Sequence, residues 1–111
     1  MKSAENKKPA FDRIESVNDL KLAKDFILEE YGLQVDVEIS VTGSFKRKAG
    51  EYIPANEEIR ISRYLLENHP EKVFRTLKHE LAHAEVFGRN QISKPHGKEW
   101  KSMMMNLGIE D

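Results

Sequence analysis

The sequence predicts a small α+β domain: an N-terminal helix, a three-stranded antiparallel meander, a long helix carrying paired histidines, and a C-terminal helix. Three observations carry this reading. Apolar residues recur at three- and four-residue spacing before Gly32, alternate strictly over residues 33–41, and return to helical spacing after Pro70. Turn-forming residues at Thr42-Gly43-Ser44 and Pro54-Ala55-Asn56 divide the middle into three short runs. The pattern His79-Glu80-Leu81-Ala82-His83 falls inside the long helical stretch, so fold and chemistry meet there.

Residues 1–12 are charged and polar and read as a flexible arm, leaving residues 13–111 as a single domain. Ser16, Asn18 and Asp19 offer N-cap and first-turn chemistry for a helix over 17–31. Leu20, Ala23, Ile27 and Tyr31 form its apolar stripe, widened by Leu22 and Phe26, and Gly32 sits at the C′ position. Leu33, Val35, Val37, Ile39 and Val41 then alternate with polar residues, as in a half-buried strand. Residues 45–53 read as a second, weaker strand in which Gly50 marks a bulge or a close backbone approach. Strand alternation would send Lys46, Arg47 and Lys48 to different faces. Residues 58–62 make a short third strand, and connections this short favour a meander.

Residues 63–68 read as a helical turn ended by His69-Pro70, with Pro70 at N1 and Glu71 in the first turn of the next helix. That helix is expected over 70–87, closed by Gly88. Val73, Phe74, Leu77, Leu81 and Ala84 supply its core stripe, and His79 and His83 occupy another sector. Residues 89–95 form a loop. His96-Gly97 then leads into a last helix whose Trp100, Met103, Met104 and Leu107 read as core.

At 111 residues with no cysteine, the chain can bury a core without staples, and thiolate zinc sites, disulfides and a cysteine nucleophile are excluded. The first residues lack the apolar stretch of a signal peptide and no run is long enough to span a membrane, so a cytoplasmic location is expected. A net charge of −1 with 33% charged residues argues against a globally basic nucleic-acid binder, although Lys2, Lys7 and Lys8, and Lys46 to Lys48, are local basic patches. Composition leaves the oligomeric state open.

On a helix, side chains four apart lie one turn above the other on a single face. His79 and His83 can therefore both aim an imidazole nitrogen at one ion. Glu80, three before His83, can reach a water in the open coordination position as general base. A hydrolytic zinc site usually takes three protein ligands. A histidine six after His83 would serve, but that residue is Arg89, leaving His96, Glu99 or Glu110 as the third donor. His69 lies nearly three turns before His79 along the same helix and reads as a boundary residue.

His79-Glu80-Leu81-Ala82-His83 followed by His96-Gly97-Lys98-Glu99-Trp100 resembles the H-E-x-x-H … H-G-x-x-[FW] pattern of SprT-like zinc metallopeptidase domains. That family includes bacterial SprT proteins and the eukaryotic protease Spartan. The likeness extends upstream through Ile59-Arg60-Ile61-Ser62 and Leu65-Leu66, covering residues 17–107. It implies a minimal gluzincin-like fold, one Zn²⁺ held by His79, His83 and His96, Glu80 as catalytic base, and hydrolysis of peptide bonds in a protein or peptide substrate. Spartan cleaves proteins crosslinked to DNA, so the resemblance also implies possible DNA association. Many relatives carry a cysteine-rich zinc ribbon, whereas this sequence has no cysteine, so DNA targeting through a ribbon is not expected. The competing expectation is a zinc-binding, catalytically weak interaction or DNA-associated module. A structural zinc would usually be closed by a fourth protein ligand, and Glu80 would then have no role.

Overall fold

The computed structural model describes residues 11–90 and 98–106. Helix α1 spans Val17–Tyr31. The Ser16 hydroxyl caps it by accepting the Asp19 N–H at 3.0 Å. Gly32 ends it with φ 63°, and the N–H groups of Gly32 and Leu33 return to the Glu29 and Leu28 carbonyls. Leu20, Ala23 and Ile27 face the core and are fully buried.

Strands β1 (Glu38–Thr42), β2 (Gly50–Ile53) and β3 (Glu58–Ser62) form one sheet in the order β1-β3-β2. β1 runs parallel to β3, with Ile39 beside Ile59 and Val41 beside Ile61. β2 is antiparallel to β3, with Tyr52 beside Ile59. The expected antiparallel meander is thus corrected: β1 and β2 are not neighbours, and the last strand inserts between them. The cause lies in residues 43–49, which form a loop instead of the start of a strand. That loop carries the chain past the position β3 later fills. With β2 and a single 3₁₀ turn at Pro54–Asn56, it makes the crossover a parallel pair requires. The most buried strand takes the centre, since Ile59 and Ile61 are wholly inaccessible.

The first strand also begins later than its alternation suggests. The N–H groups of Gln34 and Val35 donate to the Glu85 carboxylate at 2.9 and 3.1 Å, so that stretch is held by a side chain and not by a ladder.

Helix α2 (Arg63–Asn68) is capped by Ser62, whose hydroxyl accepts the Leu65 N–H at 3.1 Å. A 3₁₀ turn at Pro70–Lys72 feeds helix α3, Val73–Asn90. α3 continues through Gly88 instead of stopping there. Among the described residues Gly32 alone of the glycines takes a positive φ, so Gly88 keeps helical geometry and supplies no left-handed cap. Val73, Leu77, Leu81, Ala82, Ala84 and Val86 bury the inner side of α3, and Met104 of helix α4 (Lys98–Asn106) joins the same core. At the N-terminal edge, Phe11 stacks on Phe74 with ring centroids 5.4 Å apart and tilts against Phe26 at 5.5 Å. The packed region therefore reaches Phe11, inside the expected arm; residues 1–10 of that arm lie outside the described residues. Among the described residues no helix is long and apolar enough to cross a membrane.

Candidate metal centre

The amphipathic pattern of α3 turns Leu77, Leu81 and Ala84 inward, which leaves His79 and His83 half-buried at the side of the helix. Their rings meet edge to face, centroids 4.9 Å apart and planes inclined by 63°. A zinc–nitrogen bond of about 2.0–2.1 Å puts each ring centroid roughly 3.2 Å from the ion, and tetrahedral directions then separate the two centroids by about 5 Å. The observed spacing fits a shared divalent ion. Two neutral imidazoles are also the donor type that zinc takes from histidine.

Glu80 has a different environment. Only 9% exposed, it lies under strand β2, where its carboxylate accepts a hydrogen bond from the Tyr52 backbone N–H. Burial is the largest influence on the carboxyl and, aided by the negative charge of Glu51, pushes its pKa up to about 7; the Tyr52 N–H and the Lys48 ammonium pull the other way. The close fit of helix to strand depends on Gly50. A Cβ at that position would lie 3.0 Å from Thr76 Cγ2 and 3.3 Å from both Glu80 Cγ and the Arg60 carbonyl oxygen. Gly50 is thus a close-approach glycine, and the close approach lets the edge strand β2 lie against Glu80, the residue next to His79.

The structure brings His79, Glu80 and His83 together on α3. His96 and Glu110 lie outside the described residues, as does the Glu99 side chain. Among the described residues no group of three His, Cys, Asp or Glu donors surrounds a common point. His69 sits elsewhere, its ring against Tyr64 at 5.8 Å and its Nδ1 3.7 Å from Glu71.

Sequence reasoning missed two contributors. One is Glu85, 3% exposed, which ties α3 to the segment entering β1 two residues beyond His83. The other is the environment that β2 creates for Glu80 through the Tyr52 N–H, Glu51 and Lys48. Both are contacts between segments distant in sequence; Gly50 within a strand pattern was the available signal for the second.

Comparison with known proteins gives a consistent result. The profile of the SprT-like family matches residues 18–110. The chain is similar to Protein SprT of Glaesserella parasuis serovar 5, with 46% identity over 65 residues that make up 57% of this chain and 42% of that protein. It is similar to Protein SprT of Klebsiella pneumoniae at 48% identity over 54 residues, 47% of this chain and 32% of that one. The chain thus aligns with less than half the length of these curated relatives. Among solved structures, it shares its fold with the metallopeptidase zymogen of Methanocaldococcus jannaschii jannalysin, at a TM-score of 0.60 and 20% identity over 78% of this chain and 79% of that one.

Proposed function

The chain belongs to the SprT-like family, and from this premise we propose that it is a zinc-dependent metalloendopeptidase of the minimal gluzincin type, acting on protein or peptide substrates. The observation that carries the proposal is the His79–His83 ring pair beside the buried carboxyl of Glu80 on one helix. His79 and His83 would hold one zinc ion, with His96 as the third ligand. When bound, zinc lowers the pKa of a coordinated water and polarises the scissile carbonyl.

The remaining work falls to the chain's own groups. Glu80 takes the proton of the attacking water and delivers it to the leaving amine. Its place under β2 keeps bulk water from competing for that proton, and the Tyr52 N–H fixes its carboxylate by a charge-assisted hydrogen bond. β2 is an edge strand, so its outer main-chain groups other than the Tyr52 N–H, which Glu80 holds, can receive an extended substrate through main-chain hydrogen bonds. Recognition of that kind imposes little sequence preference by itself.

The test is zinc content by elemental analysis after dialysis against metal-free buffer, with wild type beside His96→Ala, followed by cleavage of an unfolded protein substrate. Near-stoichiometric zinc lost on His96→Ala, with proteolysis lost on Glu80→Gln, is the expected result. Equal zinc in both proteins would remove His96 and turn attention to Glu99 or Glu110. No zinc uptake at all would overturn the reading.

A further inference from the structure

Lys46, Arg47 and Lys48 do not alternate across a strand. They belong to the 43–49 loop, where no pleat dictates direction, and all three line a single cleft of about 510 Å³. The end of β3, helix α2 and its C-cap contribute Ser62, Tyr64, Leu65 and His69 to the same lining. Among the described residues no carboxylate lines this cleft. Of the lining side chains, Lys48 pairs with Glu51 at 3.3 Å and His69 Nδ1 lies 3.7 Å from Glu71. Lys46 and Arg47 are exposed and, among the described residues, have no ion-pair partner.

The cleft adjoins the proposed centre. Lys48 lines it and is also among the charges acting on the Glu80 carboxyl. Two residues later, at most about 7 Å of backbone, Gly50 rests against Glu80 Cγ. A polypeptide laid along the β2 edge past Glu80 and continuing beyond Gly50 would run toward the loop that carries Lys46 and Arg47.

We propose that this cleft is a specificity subsite for acidic side chains, so that the chain prefers substrate segments carrying glutamate or aspartate next to the cleaved bond. This rests on the peptidase reading. Arg47 offers a planar fork for a carboxylate, and Lys46 a mobile point charge. Cations beside aromatic rings also suit single-stranded nucleic acid, but two observations favour an acidic peptide. Lys48 already sits over one face of Phe45, 5.4 Å from the ring centroid, so among the lining residues the exposed Tyr64 is left to stack a base, where a single strand wants successive platforms. The cleft, at about 510 Å³, has the volume of a few side chains, which suits carboxylate side chains better than a run of successive nucleotides.

The experiment uses the full chain, zinc-loaded, carrying Glu80→Gln so that binding is read without turnover. Fluorescence anisotropy compares a short labelled peptide rich in glutamate, its glutamine counterpart and a short labelled oligothymidylate. The glutamate peptide should bind about tenfold more tightly than the glutamine peptide at low salt, a difference that added salt erodes. Adding Lys46→Glu and Arg47→Glu should abolish the preference without lowering the melting temperature, since neither side chain is packed. Equal binding of the two peptides, or a preference that survives the charge reversal, would overturn the proposal. So would tightest binding of oligothymidylate that the same reversal removes, which would make the cleft a nucleic-acid site. Wild-type cleavage of both peptides separates the two readings. Cleavage without discrimination sinks the subsite alone; selective binding without cleavage of either peptide leaves the acidic preference standing and sinks the peptidase.

Discussion

Gly50 and Glu80 touch across the strand–helix interface so closely that a methyl group on the glycine would lie 3.3 Å from Glu80 Cγ. Replacing glycine by alanine in a strand normally gains about 0.5–1 kcal/mol from reduced chain entropy. Here the new Cβ also meets Thr76 Cγ2 at 3.0 Å and the Arg60 carbonyl oxygen at 3.3 Å, and backbone cannot yield cheaply. Overpacking costs about 1–3 kcal/mol, so the steric effect wins. Gly50→Ala should lower the melting temperature and displace Glu80, reducing the proposed peptidase activity further than the stability loss accounts for. Thr76→Ser removes the tightest contact while keeping the hydroxyl that donates to the Lys72 carbonyl at 3.1 Å. The double variant should regain part of both losses, as read by thermal melting and cleavage rate side by side.

Glu80→Gln keeps the shape of the side chain and an oxygen that can accept from the Tyr52 N–H, but it cannot carry a proton from water to the leaving amine. Cleavage should fall by about 10²–10⁴-fold, the usual contribution of a general base. Zinc content should stay near wild type, and the melting temperature at neutral pH should be equal to or above it, because glutamine does not carry the charge that burial penalises at this position. Activity retained at more than a tenth of wild type would assign the base to another residue.

The histidine pair was legible in the sequence because i,i+4 placement on a helix is a local rule that tertiary packing does not change. The same holds for α1 with its Ser16 and Gly32 caps, and for β3. Strand order was not legible, because pairing is decided by which strand best fills the centre. Residues 58–62 took that place with two isoleucines inaccessible to solvent. Residues 45–49 lack the side-chain pattern that would hold them in a ladder, and their release as a loop both reorders the sheet and gathers Lys46 to Lys48 at one cleft. The setting of Glu80 under β2 follows from that rearrangement, so it was hidden for the same reason.

Glu85 makes the other long-range tie to α3. Its buried carboxylate accepts the N–H groups of Gln34 and Val35, which have no strand partner. Glu85→Ala removes the acceptor of both donors; exposed Gln34 can turn to water, so the loss comes chiefly from half-buried Val35 and should be about 1–3 kcal/mol. Glu85→Gln keeps one accepting oxygen and should cost less. Denaturant unfolding should rank the proteins wild type, Gln, Ala; equal stability of the two variants would show that the N–H groups find other acceptors.

Chelation gives a direct thermodynamic reading of the centre. An ion that binds the folded chain and not the unfolded one raises stability by mass action, by about 4 kcal/mol at a thousandfold excess over its dissociation constant. Stripping zinc should therefore lower the melting temperature of wild type, and adding zinc back should restore it. His79→Ala should melt near the stripped wild type and respond weakly to added zinc. A wild-type melting temperature indifferent to chelator would remove the metal from the folding equilibrium.

Glu58 sets an expectation for acid stability. The Ser40 hydroxyl donates to its carboxylate at 2.6 Å, the largest of the influences that hold its pKa below the ordinary value of 4.5, and Asn56 and Arg60 assist at 3.4 and 3.2 Å. A carboxyl with a lowered folded pKa binds fewer protons folded than unfolded, so its contribution is fully present well above 4.5. It is lost as pH falls below 4.5 and through the folded value. Ser40→Ala raises the folded pKa towards 4.5 and shrinks that contribution. Its stability deficit should be constant at neutral pH and narrow below pH 4.5, where wild type loses the same interaction. Urea unfolding at a series of pH values checks this; a deficit unchanged down the acid limb would mean that Ser40 acts through packing between β1 and β3 and not through the Glu58 charge.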